Sequence, residues 1–236
     1  MCGVIGMMQV EADLDLVRRL FDETQIRGKH ATGVSYVKEG KIHTIKEPLP
    51  VAEFFEEHNP EEWVDTDGGL TMIGHIRYST SDLRYNQPFS NSEYAIAHNG
   101  VITQEPKETW EYRTETANDS ELILHTHAEG KLHPLQKYHD RSMAVVGLDV
   151  TGDEPKLFLY RNHKRPLWQC DDLQKNVIVT STKDIALRSG LGYLDPLSVP
   201  KFCHLEALRS GGTRIFGGHI IVDENGKFYG YVDLQR

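Results

Sequence analysis

Cysteine is scarce in this chain. Only Cys2, Cys170 and Cys203 occur in 236 residues, an odd number, far apart and with no CxxC spacing. A disulfide framework or a zinc ribbon needs paired, regularly spaced thiols, so neither is supported. Positive charge is short as well. Lys and Arg total 26 against 35 Asp and Glu, the formal net charge is -9, and no Lys/Arg-rich block offsets it locally. That balance argues against nucleic-acid backbones or anionic lipid as main partners. Long apolar runs are also missing, since no stretch approaches the ~20 residues of a membrane-spanning helix. The opening MCGVIGMMQV lacks the basic start and the long apolar core of a signal peptide. A reducing, cytoplasmic setting is expected. There is no internal repeat, low-complexity tract or linker, so residues 1–236 are read as a single domain.

What is present alternates like a two-layered α+β protein. CGVIGMMQV reads as a strand that starts almost at the first residue. Leu14, Val17, Leu20 and Phe21 recur at helical spacing behind Asp13 and Asp15, which suit a helix start. GVSYVK and KIHTIK alternate like a hairpin across Glu39-Gly40. VAEFFEEH reads as a short helix, NPEEWVDTDGG as a surface loop, and LTMIGHIRY and YAIAHN as strands. NDSELILHTHAEG reads as a helix, with Asn118 and Glu121 at capping-box spacing. SMAVVGLDV, KLFLYRN and NVIVTS follow as strands, KDIALRSG as a helix ending on Gly190, SGGTR as a turn, and GHIIVDENGKFYGYVDL as a closing hairpin. Two sheets packed face to face, with helices on their outer faces, accommodate that order.

Three stretches carry chemistry. A cysteine early in a strand commonly serves as a small buried hydrophobe. Cys2, however, stands directly behind Met1, and removal of Met1 leaves one residue with both a thiol and a free α-amine. An ordinary α-amine titrates near ~8 and a thiol near ~8.5. One residue would then hold a nucleophile and a base able to take its proton near neutral pH. IAHNGVI places Asn99 and Gly100 at a strand end, where an amide side chain and an unhindered backbone N–H can converge on an oxyanion. Asn-Gly is also an ordinary turn pair. GHIRYSTSD sets Arg77 beside small hydroxyl residues, a pattern suited to a forked grip on a carboxylate or to a plain surface ion pair.

Taken together, MCGVIG, RGKHATG, GHIRYST, NQPFSN, IAHNG and NDSELI resemble, in order and approximate spacing, the class II glutamine amidotransferase domain. This is the N-terminal-nucleophile glutaminase of amidophosphoribosyltransferase and glucosamine–fructose-6-phosphate aminotransferase. The motifs run from residue 2 to about residue 123, and RNHKRPL, VIVTSTKDIAL and the last hairpin resemble the later part of that domain more loosely. The resemblance implies an αββα sandwich of two mainly antiparallel sheets covered by helices. It implies Cys2 as nucleophile with its own amine as base, and Asn99 and Gly100 as the oxyanion hole. Arg77 matches the group that binds the glutamine α-carboxylate, with Thr80 nearby. Asp119 matches the carboxylate that holds the α-amine, and Arg27 matches an orienting arginine close to the nucleophile. Asp119 also suits a plain helix-start charge, worth ~0.3–1 kcal/mol. Two departures stand out: His30 where the family commonly has an acidic residue, and Ser81 where part of the family has histidine. The stretch from His75 to Tyr85 is a candidate lid.

The implied reaction is hydrolysis of L-glutamine to glutamate and ammonia, with no cofactor and no metal. The family's larger members carry an acceptor domain, and this sequence offers neither a phosphoribosyl-binding loop nor room for a sugar isomerase. A separate synthase subunit that receives the ammonia is therefore expected. Two alternatives stay open, an N-terminal-nucleophile hydrolase of another amide and a non-catalytic glutamine-binding regulatory subunit. Glu121, His125 and Glu129 share one helical face and could bind a divalent ion, though an ordinary polar face is much the better reading.

Overall fold

Strands buried along both faces force the chain into layers, and the computed structural model shows which layers form. It describes residues 2–78, 86–171, 176–192, 195–196, 202–208, 212–214, 218–222 and 228–233, the last five as backbone strands only. The first half supplies β1 (Gly3–Gln9), α1 (Leu14–Thr24), β2 (Ala31–Lys38), β3 (Lys41–Glu47), α2 (Val51–Glu57), β4 (Leu70–Arg77), β5 (Phe89–Ser90) and β6 (Tyr94–Val101). The second half supplies α3 (Ser120–Glu129), α4 (Pro134–Lys137), β7 (Ser142–Asp149), β8 (Lys156–Asn162), β9 (Trp168–Asp171), β10 (Val177–Thr180) and α5 (Lys183–Arg188). Then come β11 (Asp195–Pro196), β12 (Phe202–Leu208), β13 (Gly212–Arg214), β14 (Gly218–Val222) and β15 (Phe228–Asp233).

One sheet has the order β11-β9-β10-β1-β4-β2-β3, the other β13-β12-β8-β7-β6-β5, and β14 pairs with β15. Neighbours run antiparallel throughout these ladders. The two-residue period of a strand sorts the side chains into faces. Val4 and Met8 of β1, Ile73 of β4, Ala95 and Ala97 of β6, and Ala144, Val146 and Leu148 of β7 meet in one buried layer between the sheets. The opposite face of the first sheet, with Ile5, Met7, Val34, Leu70 and Met72, packs under α1, α2 and α5 through Val17, Leu20, Phe21, Phe54 and Ile185. The opposite face of the second, with Ile96, Met143, Val145 and Phe158, packs under α3 and α4 through Leu122, Ile123 and Leu135. Helix, sheet, sheet, helix is the αββα sandwich that the resemblance implied. Each fully buried Leu, Ile or Phe contributes about 1.5–3 kcal/mol of transfer free energy to this stack.

Local signals explain most boundaries. Asp13 accepts a hydrogen bond from the Leu16 N–H at 2.9 Å and so starts α1. Glu39 and Gly40, with φ of 51° and 70°, turn β2 into β3 and set Lys38 opposite Lys41. Four expectations are corrected. NPEEW is no surface loop: Asn59 accepts from Glu61 N–H, Pro60–Trp63 winds into a 3-10 turn, and Trp63 is wholly buried. Asn118 and Glu121 do not form a capping box, because the Glu121 carboxylate instead accepts from Glu115 N–H and Thr116 N–H. Gly212–Arg214 of SGGTR is a short strand paired with β12. His75–Arg77, placed in a candidate lid, is the buried end of β4, and residues 79–85 lie outside the described residues.

Candidate active site

The site follows from extending each strand's inward face to the end of its ladder. Val4 faces the inter-sheet layer, so Cys2, two residues earlier, continues that face; Ile73 does the same for His75 and Arg77, and Ala97 for Asn99. The β1–β4 register pairs Gly3 with Ile76, and its next step sets Cys2 opposite Arg77. The apolar layer therefore gives way to a thiol and a guanidinium on adjacent strands of the first sheet and to an amide on β6 of the second.

Cys2 is a free, partly buried thiol. Burial pushes it up from its ordinary value; against that, the Tyr78 backbone hydrogen bond and the charges of Arg77 and Arg27 favour the thiolate. Arg27 sits in the 3-10 turn after α1 and donates from Nε to the Cys2 carbonyl at 3.3 Å. Its Nη2 is buried with no hydrogen-bond partner among the described residues. Burial lowers the Arg27 pKa, the nearby Cys2 raises it, and Arg165 lowers it further. Gly28 lets this turn lie against the β4 end: a Cβ there would fall 2.4 Å from Tyr78 N and 2.5 Å from Arg77 O. His30, the departure from the family pattern, donates its backbone N–H to Arg77 O at 3.0 Å, and its ring lies 5.1 Å from that of Tyr78.

Arg77 is 7% exposed and donates from Nη1 to Asn86 Oδ1 at 3.0 Å. A guanidinium presents its donors in a planar fork, the geometry that suits a carboxylate. Across the layer, Asn99 is 2% exposed and its Nδ2 is buried without a partner among the described residues. A buried amide donor left unmade costs about 1–3 kcal/mol, so its presence points to a group that arrives from outside. Gly100 follows with little room above it, since a Cβ would lie 2.0 Å from Ser142 O. Asp119 precedes α3 but does not cap it; its Oδ2 instead accepts from Ile102 N–H at 2.6 Å and Thr103 N–H at 3.1 Å. Thr80 and Ser81 lie outside the described residues.

Cys2, Arg27 and Arg77 thus gather at one end of the first sheet; Asn99 and Gly100 lie on β6 of the facing sheet, where the charge of neighbouring His98 reaches His75 of β4, and Asp119 is tied to the chain that leaves β6. Sequence reasoning missed Asn86, whose only signal was its place in NQPFSN. It also missed Arg165, which follows β8 and has a buried Nε without a partner among the described residues. Ser181 was missed too; its Oγ accepts from Val4 N–H at 2.7 Å and steadies the start of β1. Glu121 and His125, raised as metal ligands, approach to 3.7 Å, while Glu129 accepts from Tyr112 Oη.

No protein-family model matches the chain. It is 26% identical over 137 residues to the isomerizing glutamine–fructose-6-phosphate aminotransferase of Aquifex aeolicus, covering 53% of this chain and 22% of that protein. It is 29% identical over 147 residues to the chloroplastic amidophosphoribosyltransferase of Glycine max, covering 56% and 25%. Over about half its length the chain is thus similar to the glutamine-amidotransferase domains of these proteins. The fold agrees. The glutamine phosphoribosylpyrophosphate amidotransferase of B. subtilis, solved with ADP and GMP, superposes with a TM-score of 0.71 at 20% identity, over 94% of this chain and 51% of that one. A glutamine aminotransferase class-II domain protein of Silicibacter pomeroyi gives 0.50 at 12% identity, over 92% and 100%. This amidotransferase-like chain therefore spans about a quarter of the curated relatives it matches. No helix among its described residues is long and apolar enough to cross a membrane.

Proposed function

We propose that residues 1–236 form one glutaminase domain that hydrolyses L-glutamine to L-glutamate and ammonia through a Cys2 thioester. The observation that carries this reading is the buried Asn99 Nδ2, without a partner among the described residues, on the strand that faces β1 across the inter-sheet layer. In the processed chain Met1 is absent and the Cys2 α-amine takes the thiol proton, directly or through a water. The sulfur adds to the side-chain amide carbon of glutamine, and the oxygen takes up the negative charge. Asn99 Nδ2 and the Gly100 N–H donate to it, and one such donor is worth about 100–1000-fold in rate. The protonated leaving nitrogen departs as ammonia, and water hydrolyses the γ-glutamyl thioester. Arg77 holds the α-carboxylate, with Thr80 beside it, and Asp119 holds the α-amine. Arg27 fixes the Cys2 carbonyl and biases the sulfur toward its anion.

Ammonia released into water is mostly protonated and lost, so the reading includes an acceptor site on a separate synthase subunit. The curated relatives carry most of their length beyond the matched region, on the same chain, which supports an acceptor site but not its place on a separate subunit. The decisive assay measures glutamate release by wild type and Cys2→Ala. The variant is expected to lose more than about 1000-fold, and intact mass is expected to show Met1 gone with a glutamine-derived electrophile on Cys2. Wild-type turnover in Cys2→Ala would overturn the assignment.

A further inference from the structure

His98, on the reverse side of β6 from the oxyanion face, belongs to a closed set of buried hydrogen bonds. Its Nε2 lies 3.2 Å from Ser142 O. A carbonyl only accepts, so Nε2 carries the hydrogen and Nδ1 is the lone-pair nitrogen. Nδ1 lies 2.9 Å from Ser120 Oγ, so Ser120 donates to it. The Ser120 oxygen in turn accepts from Gln87 Nε2 at 3.0 Å. Gln87 Oε1 closes the ring by accepting from His98 N–H at 2.7 Å. Ser120, Gln87 and His98 are 2%, 4% and 1% exposed. Every donor in the ring has one acceptor and the direction around it is fixed, which is the condition under which a buried polar network rigidifies its surroundings.

The ring touches each part of the site through a chain neighbour. His98 precedes Asn99. Gln87 follows Asn86, the acceptor for Arg77 Nη1. Ser120 follows Asp119, whose carboxylate accepts from Ile102 N–H and Thr103 N–H. Asp119 and Ser120, consecutive residues where α3 begins, therefore grip the chain on both sides of Asn99-Gly100, at residue 98 of β6 and at residues 102–103 just beyond it. The glycine at 100 belongs to the same device: a Cβ there would sit 2.5 Å from His98 Nε2 and 2.0 Å from Ser142 O, across the hydrogen bond that joins them.

We propose that His98, Ser120 and Gln87 are positioning residues that hold the Asn99 amide toward Cys2 and tie that placement to the Arg77 clamp. The proposal rests on the glutaminase reading for its kinetic consequences but on the ring alone for its structural one. Ser120→Ala removes the central hydroxyl. It is expected to lower kcat on L-glutamine by about 10-fold or more, by misplacing an oxyanion donor, and to raise KM severalfold through the Asn86–Arg77 arm. Ser120→Thr keeps the hydroxyl and is expected to restore both constants. Gln87→Glu keeps the acceptor for His98 N–H and loses the donor to Ser120, so it is expected to repeat the kcat loss in a folded protein even if Ser120→Ala is unstable. The double variant Gln87→Ala/Ser120→Ala is expected to lose no more than the worse single, because the two act as one unit. Unchanged kinetics in folded Ser120→Ala, no rescue by threonine, or multiplying losses would each overturn the proposal. Nuclear magnetic resonance of the substrate-free protein separates it from the activity. If wild type fails to hydrolyse glutamine, the glutaminase reading falls, yet the Asn99 side-chain amide signals are still expected to move in Ser120→Ala. Signals that stay in place would sink the positioning role.

Discussion

The two sheets meet at one site but hold their contributions to it in different ways. The first sheet fixes Cys2 and Arg77 by backbone register and close approach: Gly3 faces Ile76, Ala31 faces Arg77, and the Arg27–Gly28 turn leans on the end of β4. Among the described residues, His75 Nε2 of β4 and Arg27 Nη2 of the turn beside it have no hydrogen-bond partner. The second sheet anchors the Asn99 strand by side chains, through His98, Ser120, Gln87 and Asp119. The difference teaches where tolerance lies. Under the proposed reaction, substitutions in the first sheet are expected to remove a reacting or binding group outright, and those behind the second to misplace a donor that is still present.

Removing the donor itself gives the largest effect with which to sharpen that contrast. Asn99→Ala is expected to cut kcat for glutamate release by about 100–1000-fold with little change in KM, since the oxyanion exists only along the reaction path. Stability is expected to hold or rise, because the lost Nδ2 had no partner among the described residues. A KM effect equal to the kcat effect would place Asn99 on the substrate's ground state and break the comparison.

How much of this was legible beforehand follows the same division. Cys2, Arg77 and Asn99 could be singled out in the sequence because their motifs are local, and in the fold they stand in line with Val4, Ile73 and Ala97. The strand order was not. β1 lies between β4 and β10, partners that come some seventy and some hundred and seventy residues later, and no local pattern encodes that choice. Trp63 was hidden by its acidic neighbours, whose charges face solvent while the ring turns inward. Glu121 was misread because capping-box spacing is also what a carboxylate needs to reach back to Glu115 and Thr116. The His98–Ser120–Gln87 ring was invisible because its members stand 11, 22 and 33 residues apart and meet only once the layers are stacked.

A smaller effect is expected from Arg77→Lys, which keeps the charge but loses the fork. Only one ammonium remains to serve both Asn86 and an incoming carboxylate. KM for glutamine is expected to rise about 10-fold, the value of one charge-assisted bond of about 1.4 kcal/mol, with kcat falling less. A drop in kcat alone would show that Arg77 acts on the sulfur and not on the amino-acid end.

The least visible effect at neutral pH belongs to His75, and it tests whether the first sheet's unsatisfied groups carry a cost of their own. Burial drives its pKa down to about 3, and the charges of Arg77 and His98 oppose protonation further. An unfolded imidazole titrates near ~6.5. With the folded value depressed, the unfolded chain binds the proton first. The stability that His75 contributes is therefore fully present above pH ~6.5 and drains away as the pH falls toward 3. His75→Leu cannot titrate. Its urea midpoint at pH 7.5 is expected to match wild type, whereas at pH 4.5 the variant is expected to be the more stable by roughly 1–3 kcal/mol. His98, also held neutral by burial, keeps part of the acid slope in both proteins. If the two proteins lost stability in parallel as the pH fell, the acid sensitivity would lie elsewhere. The two sheets would then differ in how they position groups but not in how they tolerate protons.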